Sequence, residues 1–318
     1  MRDPLGANTS SAYRSIIVNK KFIVGTRGSP LALAQTNLVI AALREKSPDT
    51  LFETRIITTA GDMPNKPRES SGKDSFTGTI DFALRTGEVD IAVHSLKDVP
   101  AEQDGIEIAA FPKRGSPFDV LVSREGRPRL FELPTGANVG TSSVRRAIQL
   151  KAVRRDLNLV ETTGNIHTRL TKLRSKESKL DALVLAEAGL QRLGMFEAGE
   201  ILPTSVMLPA PGQGCLAVAV RGDDRIAKIL VSEIDDSDTR LVASCERSFS
   251  KALGGGCNLP VAALAKIVDE NGRKISLEGL VQKTSSAGEL IVRGIKTGEL
   301  EDAELVGRKL ATELGAIP

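Results

Sequence analysis

The sequence predicts an α/β protein of more than one domain. Short apolar, β-branched runs alternate with helical patterns between residues 22 and 220. Several of these runs stop at Gly, Ser or Thr and lead straight into helix caps. From about Ile234 the alternation gives way to one helix, strands and a last helix, the pattern of a small α+β domain. At 318 residues the chain is also too long for one simple core and suits two or three domains.

Phe22 to Thr26 reads as the first strand. Ser29-Pro30 supplies a helix N-cap and a first-turn proline, and Leu31 to Leu43 carries an amphipathic helix. Phe52 to Thr58 reads as a second strand. Gly61 to Lys73 is rich in Gly, Pro, Ser and charge and reads as a mobile loop, long enough to be functional. A helix over Phe76 to Leu84 is followed by a buried strand from Val89, which ends in His94, Ser95, Lys97 and Asp98 before Pro100 stops it. A second unit begins near Arg114-Gly115-Ser116-Pro117. Its strands are Ala137 to Thr141, Leu157 to Glu161 and Ala182 to Ala186. The helix after the first is capped by Ser142 or Ser143 and bears Arg145 and Arg146. The next follows Gly164-Asn165 and carries Arg169 and Lys172, and the third carries Arg192. Cys215 to Val220 is a further strand. The closing domain reads as a helix over Thr239 to Leu253, strands over Val261 to Ile267 and Ile275 to Val281, and a helix over Glu301 to Leu314. Residues 1–20 lack the apolar core of a signal peptide, and a disordered extension is expected. Asp3 and the short length disfavour a transit peptide.

Apolar residues make up 41% of the chain and charged residues 26%, as in ordinary soluble globular proteins. No apolar run approaches the roughly 18 residues of a membrane span, so no membrane partner is expected. A net charge of +3, one Tyr and no Trp speak against nucleic-acid binding. The cysteines are Cys215, Cys245 and Cys257; an odd count without a secretory signal points to free thiols in a reducing, cytoplasmic compartment. His94 and His167 stand alone and no two cysteines have zinc-ligand spacing, so no metal site is expected.

Ligands of open α/β sheets bind at the carboxyl ends of strands, which is where Lys97 and Asp98 fall. The competing reading is a surface ion pair, common and worth little. Three turns repeat one device: Thr26-Arg27-Gly28-Ser29, Gly140-Thr141-Ser142-Ser143-Val144-Arg145-Arg146, and Thr163-Gly164-Asn165 through Arg169. Each sets small residues at a helix N-terminus, where free N–H groups favour anions, and adds arginine, which recognises carboxylate or phosphate bidentately. Capping alone explains one such turn, but three, with Arg192 behind another strand, favour a large anionic ligand. Walker A and Gly-x-Gly-x-x-Gly spacings are absent, so a nucleotide is not indicated. Gly254-Gly255-Gly256-Cys257 offers a permissive backbone around a thiol that is either exposed for covalent use or simply buried. Cys215 and Cys245, inside strand and helix patterns, read as core. Gln213, between Gly212 and Gly214, reads either as a hinge or as a ligand amide.

Over about residues 22–265 these segments resemble the porphobilinogen deaminase (hydroxymethylbilane synthase) family. The resemblance is carried by Thr26 to Leu33, Ala92 to Pro100, Gly140 to Arg146, Gly164 to Leu170, Ala188 to Gly194, Gly212-Gln213-Gly214 and Gly256-Cys257, in the family's order. It implies a transferase that joins four porphobilinogens head to tail with loss of ammonia, on a covalent dipyrromethane cofactor, in tetrapyrrole biosynthesis. It implies three domains, the first two periplasmic-binding-protein-like with a mixed sheet and flanking helices, the third small and α+β, with the cleft between the first two. The expected boundaries are an extension 1–21, a first domain 22–112 plus 215–231, a second 113–214 and a third 232–318. By match to the family, Asp98 is the catalytic carboxylate and Cys257 holds the cofactor through a thioether. Arg27, Ser29, Lys73, Lys97, Ser143, Arg145, Arg146, Arg169, Arg192 and Gln213 bind acetate and propionate groups, with Thr141, Ser142, Gly164 and Asn165 in the same turns. Ser95 is expected to line the cleft, His94 to be structural and the protein to be a monomer, with porphobilinogen and the growing polypyrrole as its partners. Each pyrrole carries two carboxylates, which accounts for arginine-bearing turns without metal or nucleotide motifs.

Three positions depart from the family pattern. Gly-Gly-Lys-Gly-x-Phe-x-Lys-Glu is here Ser71 to Thr79, with Asp74 entering and a Lys-Glu pair lost. The Arg before Gly-Asn is Thr163, and Glu-Asp-Pro-Arg-Asp-Ala is Gly115 to Val120. Such losses would slow elongation, arrest it at a partial chain, or mark a paralogue that binds pyrroles or another polycarboxylate without turnover. A solute receptor is a more distant alternative.

Overall fold

The computed structural model describes residues 20–58, 74–100, 103–124, 128–196, 199–254, 260–268, 273–285 and 288–316. Residues 1–19 of the expected extension, the Gly61 to Lys73 loop and Cys257 lie outside the described residues, and Lys21, expected to end the extension, already belongs to the first strand. The chain divides into two compact units, residues 1–113 with 216–240 and residues 114–215 with 241–318.

The first unit is built on strands β1 (Lys21–Thr26), β2 (Leu51–Ile56), β3 (Ile91–Ser95), β4 (Ile106–Ala110) and β10 (Leu216–Arg221). Their order is β2-β1-β3-β10-β4. The first three are parallel, and β10 runs antiparallel to both its neighbours. Helix α1 (Pro30–Lys46) starts as the sequence predicts: Ser29 caps it and Pro30 opens it. It buries Thr36, Val39, Ile40 and Leu43, spaced three and four apart on one face. Val39, Ile40 and Leu43 pack on Phe22, Val24, Ile91 and Val93. Helix α2 (Asp74–Arg85) covers the opposite face, where Ile80, Ala83 and Leu84 meet Val89, Ala92 and Ala219. The alternation of β3 therefore divides its side chains: Ile91 and Val93 face α1, Ala92 faces α2.

The second unit holds a sheet with the same design. Strands β5 (Asp119–Ser123), β6 (Asn138–Gly140), β7 (Asn158–Val160), β8 (Ala182–Ala186) and β9 (Glu200–Ile201) stand in the order β7-β6-β8-β5-β9. Again three strands are parallel and a reversed one, β5, follows them. Helix α3 (Val144–Val153) sends Leu150 into the cluster on one face, and α4 (Ile166–Arg174) sends Leu170 and Leu173 into that on the other. Helix α5 (Glu187–Arg192) follows β8 directly. These two mixed sheets with flanking helices fulfil the expected architecture.

Helices α6 (Arg225–Ser232), α7 (Ser237–Ala252) and α8 (Ala303–Ala316) complete the described helices. The last sheet, β11 (Val261–Val268), β12 (Lys274–Ser285) and β13 (Gly288–Glu299), is antiparallel. Cys245 and Phe249 of α7 and Val306, Leu310 and Leu314 of α8 fill one of its core clusters. A second cluster joins Ala262, Leu264 and Leu280 to Leu208, Phe118 and Ile148 of the same unit. The expected small α+β domain is thus present, but it contains a twelve-residue strand, β13, that the sequence pattern does not reveal. Glycines hide it. A Cβ on Gly294 would lie 2.9 Å from Leu314 Cδ2, and one on the opposed Gly279 would lie 2.6 Å from Phe249 Cζ. The strands give up side chains so that helices can approach. Strands β4, β5 and β9 and helix α6 were likewise not marked by the sequence pattern.

Glu246 on α7 is fully buried and accepts four hydrogen bonds. Two come from Arg114 (2.7 and 3.2 Å), one from Gly212 N (2.6 Å) and one from Ala265 N (2.9 Å). Such a charge is tolerated in the interior because it is both paired and fully hydrogen-bonded.

Candidate active site

In the first unit the carboxyl ends of β1 and β3 open into a pocket of about 90 Å³. Arg27 and Ser29 come from the turn after β1, Gln35 from α1, Thr77 from α2, and His94, Ser95 and Asp98 from the end of β3. Local sequence explains each placement. Ser29 Oγ accepts from Ala32 N (3.3 Å), which fixes the entry to α1. After Ser95 the chain enters a single 3₁₀ turn, Leu96–Asp98. Leu96 and Val99 are both 2% exposed and anchor that turn, so Asp98 is held outward between two buried apolar residues. Ser95 points towards α1, where Gln35 Nε2 donates to its Oγ (2.9 Å). Lys97 is half-buried and is not among the residues lining this pocket. Gln35 and Thr77 were not anticipated. Gln35 sits beside Thr36 on the buried face of α1, and a long polar side chain there is its one sequence-level signal.

In the second unit three turns carry the remaining residues. Ser143, rather than the exposed Ser142, caps α3: its Oγ accepts from Arg146 N (3.4 Å), and its own N–H donates to the buried Thr141 Oγ1 (3.2 Å). Arg145 and Arg146 are both 7% exposed and converge on Asp119 at the start of β5. Arg146 donates to Asp119 Oδ1 through Nε (3.0 Å) and Nη2 (2.7 Å), and to Val184 O through Nη1 (2.8 Å). Arg145 places Nη2 2.8 Å from Asp119 Oδ2 and donates to Leu208 O through Nη1 (2.6 Å). Burial draws the Arg145 guanidinium below its ordinary range; Asp119 opposes that and Arg146 reinforces it. Two guanidiniums share one carboxylate, so the turn keeps a surplus positive charge.

Gln213 is 1% exposed, and its Nε2 donates to Pro117 O (2.7 Å) and to Asp119 Oδ1 (3.0 Å). Gly164, at φ +105°, takes a conformation that favours glycine, and an added Cβ would meet Thr168 Cγ2 at 3.0 Å. Asn165 caps α4 by accepting from Thr168 N (2.8 Å), and Arg169 Nε donates to Gly164 O (2.8 Å). Arg192 Nη2 donates to Gly214 O (2.6 Å), the same carbonyl that accepts from Gly115 N (3.1 Å). Burial lowers the Arg192 guanidinium from its ordinary value.

Phe118, where the family pattern has Arg, is half-buried in the cluster against the third sheet. Thr163 is exposed. Lys73 and Cys257 lie outside the described residues. Cys215 and Cys245 are buried as expected, and burial pushes both thiols up to about 12. Among the described residues no group of acidic, His and Cys side chains could hold a metal, and no helix is long and apolar enough to cross a membrane.

Comparison with known proteins bears on this arrangement. The porphobilinogen deaminase dipyromethane cofactor binding domain matches residues 22–228, and the porphobilinogen deaminase C-terminal domain matches residues 241–316. The chain is 42% identical over 301 residues to the porphobilinogen deaminase of Roseiflexus sp. (strain RS-1), covering 93% of this chain and 96% of that one. It is 42% identical over 307 residues to that of Brevibacillus brevis, covering 92% and 98%. It is 44% identical over 301 residues to that of Pelotomaculum thermopropionicum, covering 93% and 94%. Among solved structures, the Bordetella pertussis BvgS periplasmic VFT2 domain aligns at TM-score 0.42 and 14% identity over 73% of this chain and 93% of that one, a likeness too slight to decide anything. Two family models in succession and relatives matched almost end to end leave one conclusion: the chain belongs to the porphobilinogen deaminase family.

Proposed function

We propose that this chain is a hydroxymethylbilane synthase: it condenses four porphobilinogens head to tail into the linear tetrapyrrole hydroxymethylbilane and releases ammonia at each step. The observation that carries the reading is Asp98, held outward on its anchored turn in a pocket that it shares with Arg27 and Ser29. Loss of ammonia from porphobilinogen leaves a cationic azafulvene. An exposed carboxylate at that point stabilises the cation and exchanges protons with the departing amine and the attacked pyrrole. Arg27, Ser29 and Ser95 bind the acetate and propionate of the incoming ring, with Lys97 on the same turn as Asp98, and the match to the family adds Lys73.

The family's dipyrromethane carries only carboxylates as charged groups. The surplus positive charge of Arg145 and Arg146 over Asp119 suits such a group. Arg145, Arg146, Ser143, Thr141 and Ser142 on one turn, and Asn165, Gly164 and Arg169 on the next, would hold its carboxylates. Arg192 and Gln213 brace the segments around Gly214 and Asp119, and Cys257 would attach the group by a thioether. When bound, dipyrromethane supplies the free pyrrole α-carbon on which the first porphobilinogen is added.

The test is incubation of the purified protein with porphobilinogen, following ammonia and tetrapyrrole together, and an intact mass of the protein before substrate is added. Multiple turnovers and a mass excess of one dipyrromethane are expected. A protein that carries the excess mass yet releases no ammonia would be a pyrrole-binding relative and would overturn the reading.

A further inference from the structure

His94 lines the pocket and Asp81 packs against it from behind, a pair of ionisable side chains that nothing in the proposed chemistry uses. Ala92 faces α2, and His94, two residues on, faces the same way. There it meets Asp81: His94 Nε2 lies 3.5 Å from Asp81 Oδ1, with the two side chains only 4% and 6% exposed. Asp81 is fixed in turn, since Gln103 Nε2 donates to its Oδ2 (2.6 Å). Thr77, one helical turn before Asp81 and on the same face, lines the pocket as well.

Six buried side-chain atoms among the described residues have no hydrogen-bond partner, and three of them are Thr77 Oγ1, Asp81 Oδ1 and His94 Nε2. At 3.5 Å the His94–Asp81 contact is electrostatic rather than a full hydrogen bond. Leaving buried polar atoms unmatched costs stability, and native proteins rarely concentrate that cost in one place without a use for it. The charged group that meets the imidazole is Asp81 from α2, and the other charged residues lining the same pocket are Asp98 from the 3₁₀ turn and Arg27 from the turn after β1. The strand paired with β3 sets Ala217 opposite His94 and adds no charge.

We propose that His94, oriented by Asp81, is a second proton acceptor of the condensation pocket, beside Asp98. This deepens the function proposed above and rests on it. In each condensation the C–N bond of the aminomethyl group breaks and ammonia leaves with the bonding electron pair. The terminal pyrrole α-carbon of the growing chain then forms a C–C bond to the freed methylene. The C–H bond at that α-carbon must break to restore the aromatic ring, and its proton passes to the His94 imidazole. Asp81 stabilises the imidazolium, which returns the proton to solvent or to the departing ammonia. No oxidant or reductant enters. His94 thereby shares the proton of the attacked pyrrole with Asp98, whose carboxylate can stay opposite the cationic ring while the new bond forms. An imidazole and a carboxylate in one pocket can divide two tasks that a single carboxylate would have to alternate between.

The test compares wild type, His94→Gln and Asp81→Asn, each first checked by intact mass and by thermal melting. His94→Gln should lower kcat at least about 100-fold, the lower end for a lost acid–base group. Its KM should stay within about twofold, and its pH–rate profile should lose the acidic limb expected of the wild type. Asp81→Asn should lower kcat less and move that limb to lower pH. The double variant should be no worse than His94→Gln, because Asp81 acts through the imidazole. A wild-type pH profile in His94→Gln, or a limb unmoved in Asp81→Asn, overturns the proposal. Asp81→Asn alone decides it if His94→Gln does not fold. The wild type in the same assay separates the two readings: an inactive wild type refutes the synthase itself, whereas an active wild type matched by His94→Gln refutes only the role of His94.

Discussion

At the end of β3, in the first sheet, Asp98 stands exposed on its turn, and no hydrogen bond or ion pair joins its carboxylate to a described residue. At the start of β5, in the second sheet, Asp119 is fully buried between two guanidiniums and a glutamine amide. The two sheets share one arrangement, three parallel strands followed by a reversed strand and an edge strand, so the contrast is one of side-chain environment and not of architecture. A carboxylate already matched by buried arginines is spent on holding a turn in shape and setting its net charge. One left open in a polar pocket can follow the changing charge of a substrate.

The largest effect should come from the open carboxylate. Asp98→Asn should keep the fold and the mass excess of the bound cofactor while turnover falls by about 100- to 10,000-fold, read by ammonia release. Full activity in that variant would erase the distinction between the two aspartates. The matched carboxylate should fail differently. Asp119→Asn strands two buried guanidiniums and should cost about 3–5 kcal/mol of stability in denaturant unfolding, whatever its effect on rate. An unchanged unfolding midpoint would show that the arginines are not held by its charge.

The caps sharpen the contrast on a smaller scale. Ser29→Ala and Ser143→Ala should each cost about 1 kcal/mol of stability, since both cap a helix by one hydrogen bond. Ser29 also lines the pocket, so its loss should raise the KM for porphobilinogen as well. An unchanged KM in Ser29→Ala would count against the pocket. The smallest effect at neutral pH concerns Cys215. Burial pushes its thiol up to about 12 from 9.0, although Arg114 and Arg192 favour the thiolate. In the native protein it should resist alkylation at pH 7–8. An unfolded chain ionises this thiol near pH 9 while the folded one does so near pH 12, so its stabilising contribution is complete below pH 9 and is lost as pH rises between those values. Rapid labelling of Cys215 under native conditions would contradict the burial.

Much of this could be read in advance because it is local. A Ser before Pro30, a Ser three residues before Arg146 and an Asn three before Thr168 announce caps, and caps mark the carboxyl ends of strands. Apolar runs such as Ala182 to Ala186 announce buried parallel strands. Pairings between distant positions were not legible. Nothing near Asp119 in sequence points to Arg145 and Arg146, 26 and 27 residues later, and nothing near Glu246 points to Arg114, 132 residues earlier. His94 read as structural because a lone histidine in an apolar run usually is; its partner Asp81 is visible only once α2 lies on the sheet. Strand β13 was lost because its glycines exist to admit α8, a tertiary reason with no local trace.

The placing of β10 between β3 and β4 has a consequence for the order in which a ribosome delivers this protein. All strands of the second sheet lie between residues 119 and 201, so that sheet can close on sequence already made. The first sheet cannot: until residues 216–221 emerge, β3 has an open edge along Ile91 to Ser95, the register partners of β10. His94 and Ser95 sit at that edge. The strand that pairs with this edge is therefore the last part of the two sheets to be laid. A nascent chain stalled before Leu216 would hold a finished second sheet beside an unfinished catalytic one, with a buried-type strand exposed to whatever else can pair with it.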